Sequence, residues 1–307
     1  MNNYPKVSVI IPTYNRPHLI GRAILSVLNQ TYRNFEIIVV DDSLTDETEK
    51  VVNNFKDKRI RYIRNKIRVG FIGAKNQGVR ESNKNSKYVA FLDDDDEYLP
   101  LFLEKTVKKL EEKNDIVMVT TYAELRRHDG KFIRKMYFDW NVFWQVCAGN
   151  GCVMRKEIFF KEGSWFDEKC IFEDLDLGIR IAKNHKCEVI PEILRVYYGY
   201  PVTKGESHST SFTLETPSEE LEYFYKKNYQ IYKEAGRKAL GWLHFVTGKT
   251  FCKAGKVKEG RNYLLRAFLI YPIPTYLFYY VMSLFFPHLF QNLKIIIFKQ
   301  KLFGNKL

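Results

Sequence analysis

The chain has 307 residues, 45% hydrophobic and 15% aromatic, enough to bury the core of one large domain or of a domain with an appendage; this excludes a disordered protein. Its 49 Lys and Arg outweigh 36 Asp and Glu to leave +13, so an anionic partner is expected. Fifteen Lys and Arg against five Glu lie from Glu219 onward, crowded among Tyr, Phe and Leu, which suits an anionic membrane face better than nucleic acid.

The first strand is expected over Lys6 to Pro12, an apolar, β-branched run of the kind buried on both faces, and Glu36 to Val40 is a second. Between them Ile20, Ala23, Ile24, Val27 and Leu28 recur at helical spacing. The alternation continues through a strand at Ile60 to Arg64, a helix around Ala74 to Ser82 and a strand at Tyr88 to Leu92. A helix at Leu101 to Lys113 and a strand at Ile116 to Thr120 complete it. This order predicts an α/β fold with a doubly wound, mostly parallel sheet flanked by helices.

After Thr121 the pattern loosens. An aromatic-rich stretch, Met136 to Trp144, leads into Gly149-Asn150-Gly151, read as a flexible substrate loop, and Glu173 to Ala182 reads as a helix opened by acidic residues. From Leu221 to Phe268 the period is helical, so the chain divides near residue 215 into a catalytic domain, 1–215, and a helical, basic, aromatic region, 216–307. No Lys, Arg, Asp or Glu occurs from Ala267 to Leu293, but Pro272, Pro274 and Pro287 argue against a membrane span. The clean stretch Thr275 to Phe286 reaches only about 18 Å as a helix, against a hydrocarbon core of about 30 Å, which fits an interfacial anchor. The alternative is that these helices pack on the catalytic domain or on a second copy in a homo-oligomer.

Five cysteines, an odd number without a Cys-x-x-Cys, and no signal-peptide pattern after Met1-Asn2-Asn3 imply a reducing cytoplasm, hence a peripheral position on the inner face of the cell membrane. Cys147 and Cys152 lack partner thiols or nearby histidines for a metal site. His18, His128, His185, His244 and His288 lack partners at ligand spacing and read as surface or packing residues.

In doubly wound sheets ligands sit beyond the carboxyl ends of the strands. Three of those ends are polar: Pro12-Thr13-Tyr14-Asn15, Asp41-Asp42-Ser43 and Asp93-Asp94-Asp95-Asp96. Four consecutive carboxylates repel one another and need a cation, a hydrogen-bonded cradle or raised pKa values. Mg²⁺ or Mn²⁺, bound by one or two carboxylates with substrate phosphates completing the shell, suits them; a solvated helix-capping loop is the plainer alternative. A carboxylate at Asp42 can accept from a nucleobase N–H, and Tyr14 offers a stacking face.

The order of these elements resembles glycosyltransferase family 2, inverting enzymes with the nucleotide-binding GT-A fold, over about residues 4 to 200. The resemblance is carried by Val-Ser-Val-Ile-Ile-Pro-Thr-Tyr-Asn-Arg (7 to 16), Ser26-x-x-x-Gln30-Thr31-Tyr32 and Val39-Val40-Asp41-Asp42-Ser43-x-Thr45-Asp46. Gly70-x-x-x-Ala74-x-Asn76-x-Gly78 and Phe91-Leu92-Asp93-Asp94-Asp95-Asp96 complete it. It implies that Pro12, Thr13, Tyr14 and Asp42 line a base pocket and that Asn76 lies near the nucleotide. Asp93 and Asp94 would approach the ribose, and Asp95 would bind the metal. Inverting transfer needs a carboxylate to take the acceptor proton. In the family a Glu-Asp pair in this place supplies it, here Glu173 and Asp174 with Asp174 as the base. His208 falls where some members carry a histidine reaching the metal or diphosphate, an ordinary loop histidine being the alternative.

The implied activity is transfer of one sugar from a UDP-, GDP- or dTDP-linked donor to a saccharide or polyprenyl-linked acceptor. A processive synthase would carry Gln-x-x-Arg-Trp and several spans, and neither is present. A nucleotidyltransferase would open with a Gly-rich basic loop, which Pro12 to Arg16 is not. A catalytically silent scaffold module on the same fold is the remaining alternative.

Overall fold

The computed structural model describes residues 6–139, 146–161, 163, 165–170, 172–199 and 218–286. They form two compact units, the first over residues up to 168 and 173–200, the second over 169–172 and from 201 onward. The boundary expected near 215, and His208, lie outside the described residues.

The first unit is built on a nine-stranded sheet. In chain order its elements are β1 (Lys6–Thr13), α1 (Pro17–Leu28), β2 (Phe35–Asp41), α2 (Glu47–Asn53), β3 (Ile60–Arg64), α3 (Gly70–Glu81), β4 (Ser86–Phe91), β5 (Glu97–Tyr98), α4 (Phe102–Glu112) and β6 (Ile116–Arg126). Then follow β7 (Phe132–Met136), β8 (Cys152–Arg155), α5 (Glu157–Lys161), α6 (Glu173–Asn184) and β9 (Lys186–Tyr198). Strand order is β3-β2-β1-β4-β8-β6-β9-β5, with β7 paired to β6. The β3-β2-β1-β4 half is parallel, as the alternation predicted, whereas β8 runs antiparallel between β4 and β6. The short runs after Thr121 that blurred the sequence pattern are this antiparallel insertion.

Because side chains alternate across a strand, β1 feeds two cores. Val7, Val9 and Ile11 join Ile20, Ile24 and Val27 of α1 and Phe102, Leu103 and Val107 of α4 on one face. Ile10 joins Val79 of α3 and Leu177 and Ile181 of α6 on the other. The close approach of α3 to β1 explains Gly78: a Cβ there would lie 2.4 Å from Ile10 Cγ2. The order of winding reverses at β1, since β2 and β4 flank it. In doubly wound sheets such a switch point is where ligands bind, here at the carboxyl ends of β1, β2 and β4.

The helical period expected from Leu221 to Phe268 is carried by α7 (Ser218–Glu234), α8 (Arg237–Lys253) and α9 (Val257–Ile270), and α10 (Pro274–Phe285) follows. Gly236 and Gly255 have φ values of +97 and +83, which end a helix at little cost only in glycine. Phe245, Leu264, Ala267, Tyr276 and Tyr279 form the core of this unit. No helix among the described residues is long and apolar enough to cross a membrane.

Candidate active site

β4 delivers the chain into a tight turn, Asp93 to Asp96, in which the Asp96 N–H donates to the Asp93 carbonyl at 3.1 Å. The turn sorts the four carboxylates. Asp94 points back to β1, accepting from the Thr13 hydroxyl at 2.6 Å and from Arg16 at 2.9 Å. Asp96 is buried and accepts from the Tyr198 N–H at 2.9 Å and from the Asn150 amide. Asp93, Asp95 and Asp96 each offer an oxygen within 4.8 Å of the others. Asp93 Oδ1 is buried with no hydrogen-bond partner. Burial pushes the Asp93 carboxyl up to about 6 against the opposing pull of Lys75. Burial likewise holds Asp94, Asp95 and Asp96 above the usual carboxylate range. An all-oxygen, crowded donor set with one orphaned buried oxygen is chemically suited to a hard divalent cation.

The turn is clamped from outside. Arg22 donates to the Asp95 carbonyl at 2.5 Å and pairs with Glu97 at 3.2 Å, its guanidinium lying 3.6 Å from the Tyr198 ring centroid. Gln30 donates to the Leu99 carbonyl and accepts from the Leu103 N–H, both at 2.9 Å, and the Thr31 N–H donates to the Pro100 carbonyl at 2.9 Å. The Ser26, Gln30 and Thr31 element is therefore a clasp on the segment that leaves the acidic turn. Asn150 closes the other side, accepting from the Asp93 N–H at 3.2 Å while its amide donates to Asp96. The Gly151 N–H donates to the Phe91 carbonyl at 2.8 Å. Gly149-Asn150-Gly151, expected as a flexible substrate loop, is instead pinned to the end of β4, because the turn needs donors for its buried carboxylates.

At the N-terminus of α6, Glu173 pairs with Lys75 of α3 at 3.2 Å. Lys75 is only 2% exposed. Burial works against its charge, but Glu173, Asp93 and Asp174 together raise its pKa, so it stays an ammonium among three carboxylates. Asp174 beside it is pushed up to about 7, by burial first and then by the Glu173 charge. The Asp174 carbonyl accepts from the Ala148 N–H at 2.7 Å, and a Cβ on Gly149 would come within 2.9 Å of Asp174 Cβ. Only glycine lets the 149 backbone pass so near the carboxylate. Sequence reasoning missed Lys75. Its signal was its place on the Ile72, Lys75 and Val79 face of α3, a charge at core-facing helical spacing.

The remaining expected residues have partners of their own. Thr13 ends β1 and holds Asp94; Pro12 is buried in β1 opposite Val40. Tyr14 is 38% exposed, with the Arg68 guanidinium 4.1 Å from its ring centroid. Asp42 accepts from the Gly70 N–H at 2.7 Å, the Asn65 amide at 2.8 Å and the Val69 N–H at 3.3 Å, which fixes the loop into α3. Asn76, 2% exposed, exchanges hydrogen bonds with the Phe166 backbone at 2.9 and 3.1 Å and donates to Glu168 at 3.2 Å. Asp42 and Asn76 thus each fix a neighbouring segment, Asp42 the loop into α3 and Asn76 the segment 166–168. Thr13, Tyr14, Asp42, Lys75, Asp93 to Asp96, Glu173 and Asp174 all belong to the first unit.

The family profile described as Glycosyl transferase family 2 matches residues 8–159. An uncharacterized glycosyltransferase of Methanocaldococcus jannaschii, MJ1057, is 32% identical over 211 residues, covering 63% of this chain and 70% of the relative. An uncharacterized glycosyltransferase of Rickettsia felis is 43% identical over 188 residues, 59% of this chain, but the match spans only 31% of that relative's length. The UDP-Glc:alpha-D-GlcNAc-diphosphoundecaprenol beta-1,3-glucosyltransferase WfgD of Escherichia coli is 34% identical over 149 residues, 48% of this chain and 58% of WfgD. Among solved structures, Staphylococcus aureus TarS 1-349 in complex with UDP-GlcNAc superposes with a TM-score of 0.65 at 17% identity, covering 91% of this chain and 81% of TarS. Mannosyltransferase PcManGT from Pyrobaculum calidifontis in complex with GDP-Man and Mn²⁺ gives 0.59 at 17% identity, covering 97% and 89%. These two likenesses establish the GT-A type fold.

Proposed function

The chain belongs to glycosyltransferase family 2, and from that premise we propose that it moves one sugar from a nucleoside-diphosphate sugar to a lipid-linked or free saccharide acceptor, with inversion. The observation that carries the reading is the buried Lys75, paired with Glu173 at 3.2 Å and acting on both Asp93 of the acidic turn and Asp174, which links the turn to the Asp174 carboxyl. A base is most useful with a pKa near the working pH. Asp174 takes the proton from the acceptor hydroxyl as its oxygen bonds to the anomeric carbon from the face opposite the leaving group. The bond from that carbon to the phosphate oxygen breaks, and its electron pair leaves with the nucleoside diphosphate. Glu173 and Lys75, paired beside Asp174, set its charge balance, Glu173 raising and Lys75 lowering its pKa.

Asp95 with Asp93 would hold Mn²⁺ or Mg²⁺, and Asp96 would stiffen the pair. When bound, such an ion neutralises charge growing on the diphosphate. The Mn²⁺ that accompanies GDP-Man in the PcManGT complex is in keeping with this. Thr13, Tyr14 and the loop fixed by Asp42 would form the base side of the donor pocket. The acceptor of WfgD, a saccharide on diphosphoundecaprenol, supports a lipid-linked acceptor here. A panel of UDP-, GDP- and dTDP-sugars tests the reading by thermal shift and hydrolysis, each with and without Mn²⁺. One base is expected to stabilise the protein only with the ion present; no shift with any of them favours a silent module.

A cytoplasmic position at the membrane surface fits α10, where Leu277, Phe278, Val281, Leu284 and Phe285 are exposed while Tyr276 and Tyr279 are buried. Replacing Phe278 and Phe285 by serine should reduce sedimentation with anionic vesicles severalfold at low salt. Unchanged sedimentation would refute the contact.

A further inference from the structure

Within the second unit α7, α8 and α9 line a shallow cavity of about 560 Å³ that is wide open to solvent, bordered by Tyr225, Lys226, Tyr229, His244, Arg266 and Ile270. Its floor is a cluster of rings: Tyr225 packs at 5.4 Å from His244 and 5.0 Å from Tyr263, and Tyr229 lies 6.3 Å from His244. His244 is 3% exposed, and its Nδ1 has no hydrogen-bond partner. Its Nε2 lies 3.5 Å from the Tyr225 hydroxyl. Burial, then the nearby Arg266 charge, pull its pKa down to about 4, so it is neutral in the cell.

The rim is cationic. Lys226 and Arg266 are exposed, and no ion pair joins Arg266 to a carboxylate among the described residues. Lys226 pairs with Glu222 at 3.1 Å, an exposed helical pair that contributes little and yields readily to a better anion. No carboxylate lines the cavity itself.

We propose that this cavity binds the phosphate head group of a lipid carrier, with Lys226 and Arg266 on the phosphate and the tyrosine rings and Ile270 against the first apolar or sugar segment. An Arg and a Lys lining the same cavity suit a doubly charged phosphate, and Tyr225, Tyr229 and Ile270 offer an apolar shelf beside them. The buried His244 adds a neutral polar group that can donate or accept. The inference rests on the reading that the acceptor is lipid-linked. It makes the helical unit a capture site for that acceptor, separate from the donor crevice.

The full chain is sedimented at 0.15 M salt with phosphatidylcholine vesicles carrying undecaprenyl phosphate, or carrying phosphatidylglycerol at matched charge. The wild type is expected to bind the polyprenyl vesicles at least about tenfold better than the phosphatidylglycerol ones, since the carrier's terminal phosphomonoester offers a doubly charged group to both cations whereas phosphatidylglycerol offers a singly charged diester capped by glycerol. Lys226→Gln with Arg266→Gln should abolish that preference, and Tyr229→Ala should weaken it. Far-UV circular dichroism and the melting temperature report whether each variant is folded; if the double variant is not, Arg266→Gln alone is read. Metal-dependent hydrolysis of the donor should be unchanged in all three. Equal binding of both vesicle types by the wild type, or a preference that survives the double variant, overturns the site. Absence of donor hydrolysis in the wild type with the vesicle preference intact would overturn the proposed activity and leave the site standing.

Discussion

Asp174→Asn is expected to lower kcat by about two to four orders of magnitude while the thermal shift produced by the nucleotide sugar and Mn²⁺ stays as in the wild type, because removing a general base costs roughly that much. Asparagine keeps the volume and can still accept from the Leu175 N–H, which Asp174 does at 2.8 Å. The pH profile sharpens the test. Burial and Glu173 push Asp174 up to about 7, so wild-type kcat/KM should rise with pH along an acid limb ending near neutrality. A proton on Asp174 disables the base, and the limb should vanish from the residual activity of the variant. Lys75→Met supplies the complement. The Lys75 ammonium pulls the Asp174 pKa down, so its loss should move the limb to higher pH as well as lower the rate. Lys75→Arg should restore part of both. Full activity in Asp174→Asn would remove this residue from the chemistry.

What could be read in the sequence followed how local the physics is. The apolar runs of β1, β2 and β4 and the helical spacing of α1 are local patterns, and the strand ends that collect Thr13, Asp42 and Asp93 follow from the parallel sheet they imply. β8 was not legible: four residues, Cys152–Arg155, paired antiparallel to residues of β4 and β6 that lie more than thirty positions earlier in the chain, carry no periodic signal. The same non-locality hid the division of labour among the aspartates. Reading Asp93 and Asp94 alike as facing the nucleotide missed that a tight turn sends alternate side chains apart, Asp94 to Arg16 and Thr13, Asp96 to Tyr198 and Asn150. Lys75 and Glu173, 98 positions apart, meet only because α3 and the start of α6 lie on the same face of the sheet.

Those crowded carboxylates also make stability depend on pH in an unusual sense. Asp93 is raised to about 6 and Asp174 to about 7, both from a reference of 3.8. Between that reference and the raised values the folded protein binds more protons than the unfolded chain, so the slope of unfolding free energy with pH is negative there. The stabilisation is complete below about pH 4 and is lost as pH rises through 6 and 7. Metal-free protein is therefore expected to melt several degrees higher at pH 5 than at pH 7.5, a few kcal/mol shifting Tm by about 2–4 °C each. Adding Mn²⁺ or Mg²⁺ at pH 7.5 should restore the lost degrees by replacing protons with a cation among Asp93, Asp95 and Asp96. Asp93→Asn should remove the Asp93 share of the pH dependence of the metal-free protein, leaving the Asp174 share that is lost near pH 7, and should abolish the response to the ion. Melting temperatures measured across pH 5 to 7.5 with chelator and then with each ion decide it. A Tm that climbs with pH in chelator and ignores both ions would mean that these carboxylates are neutralised by the protein alone and that the acidic turn holds no metal.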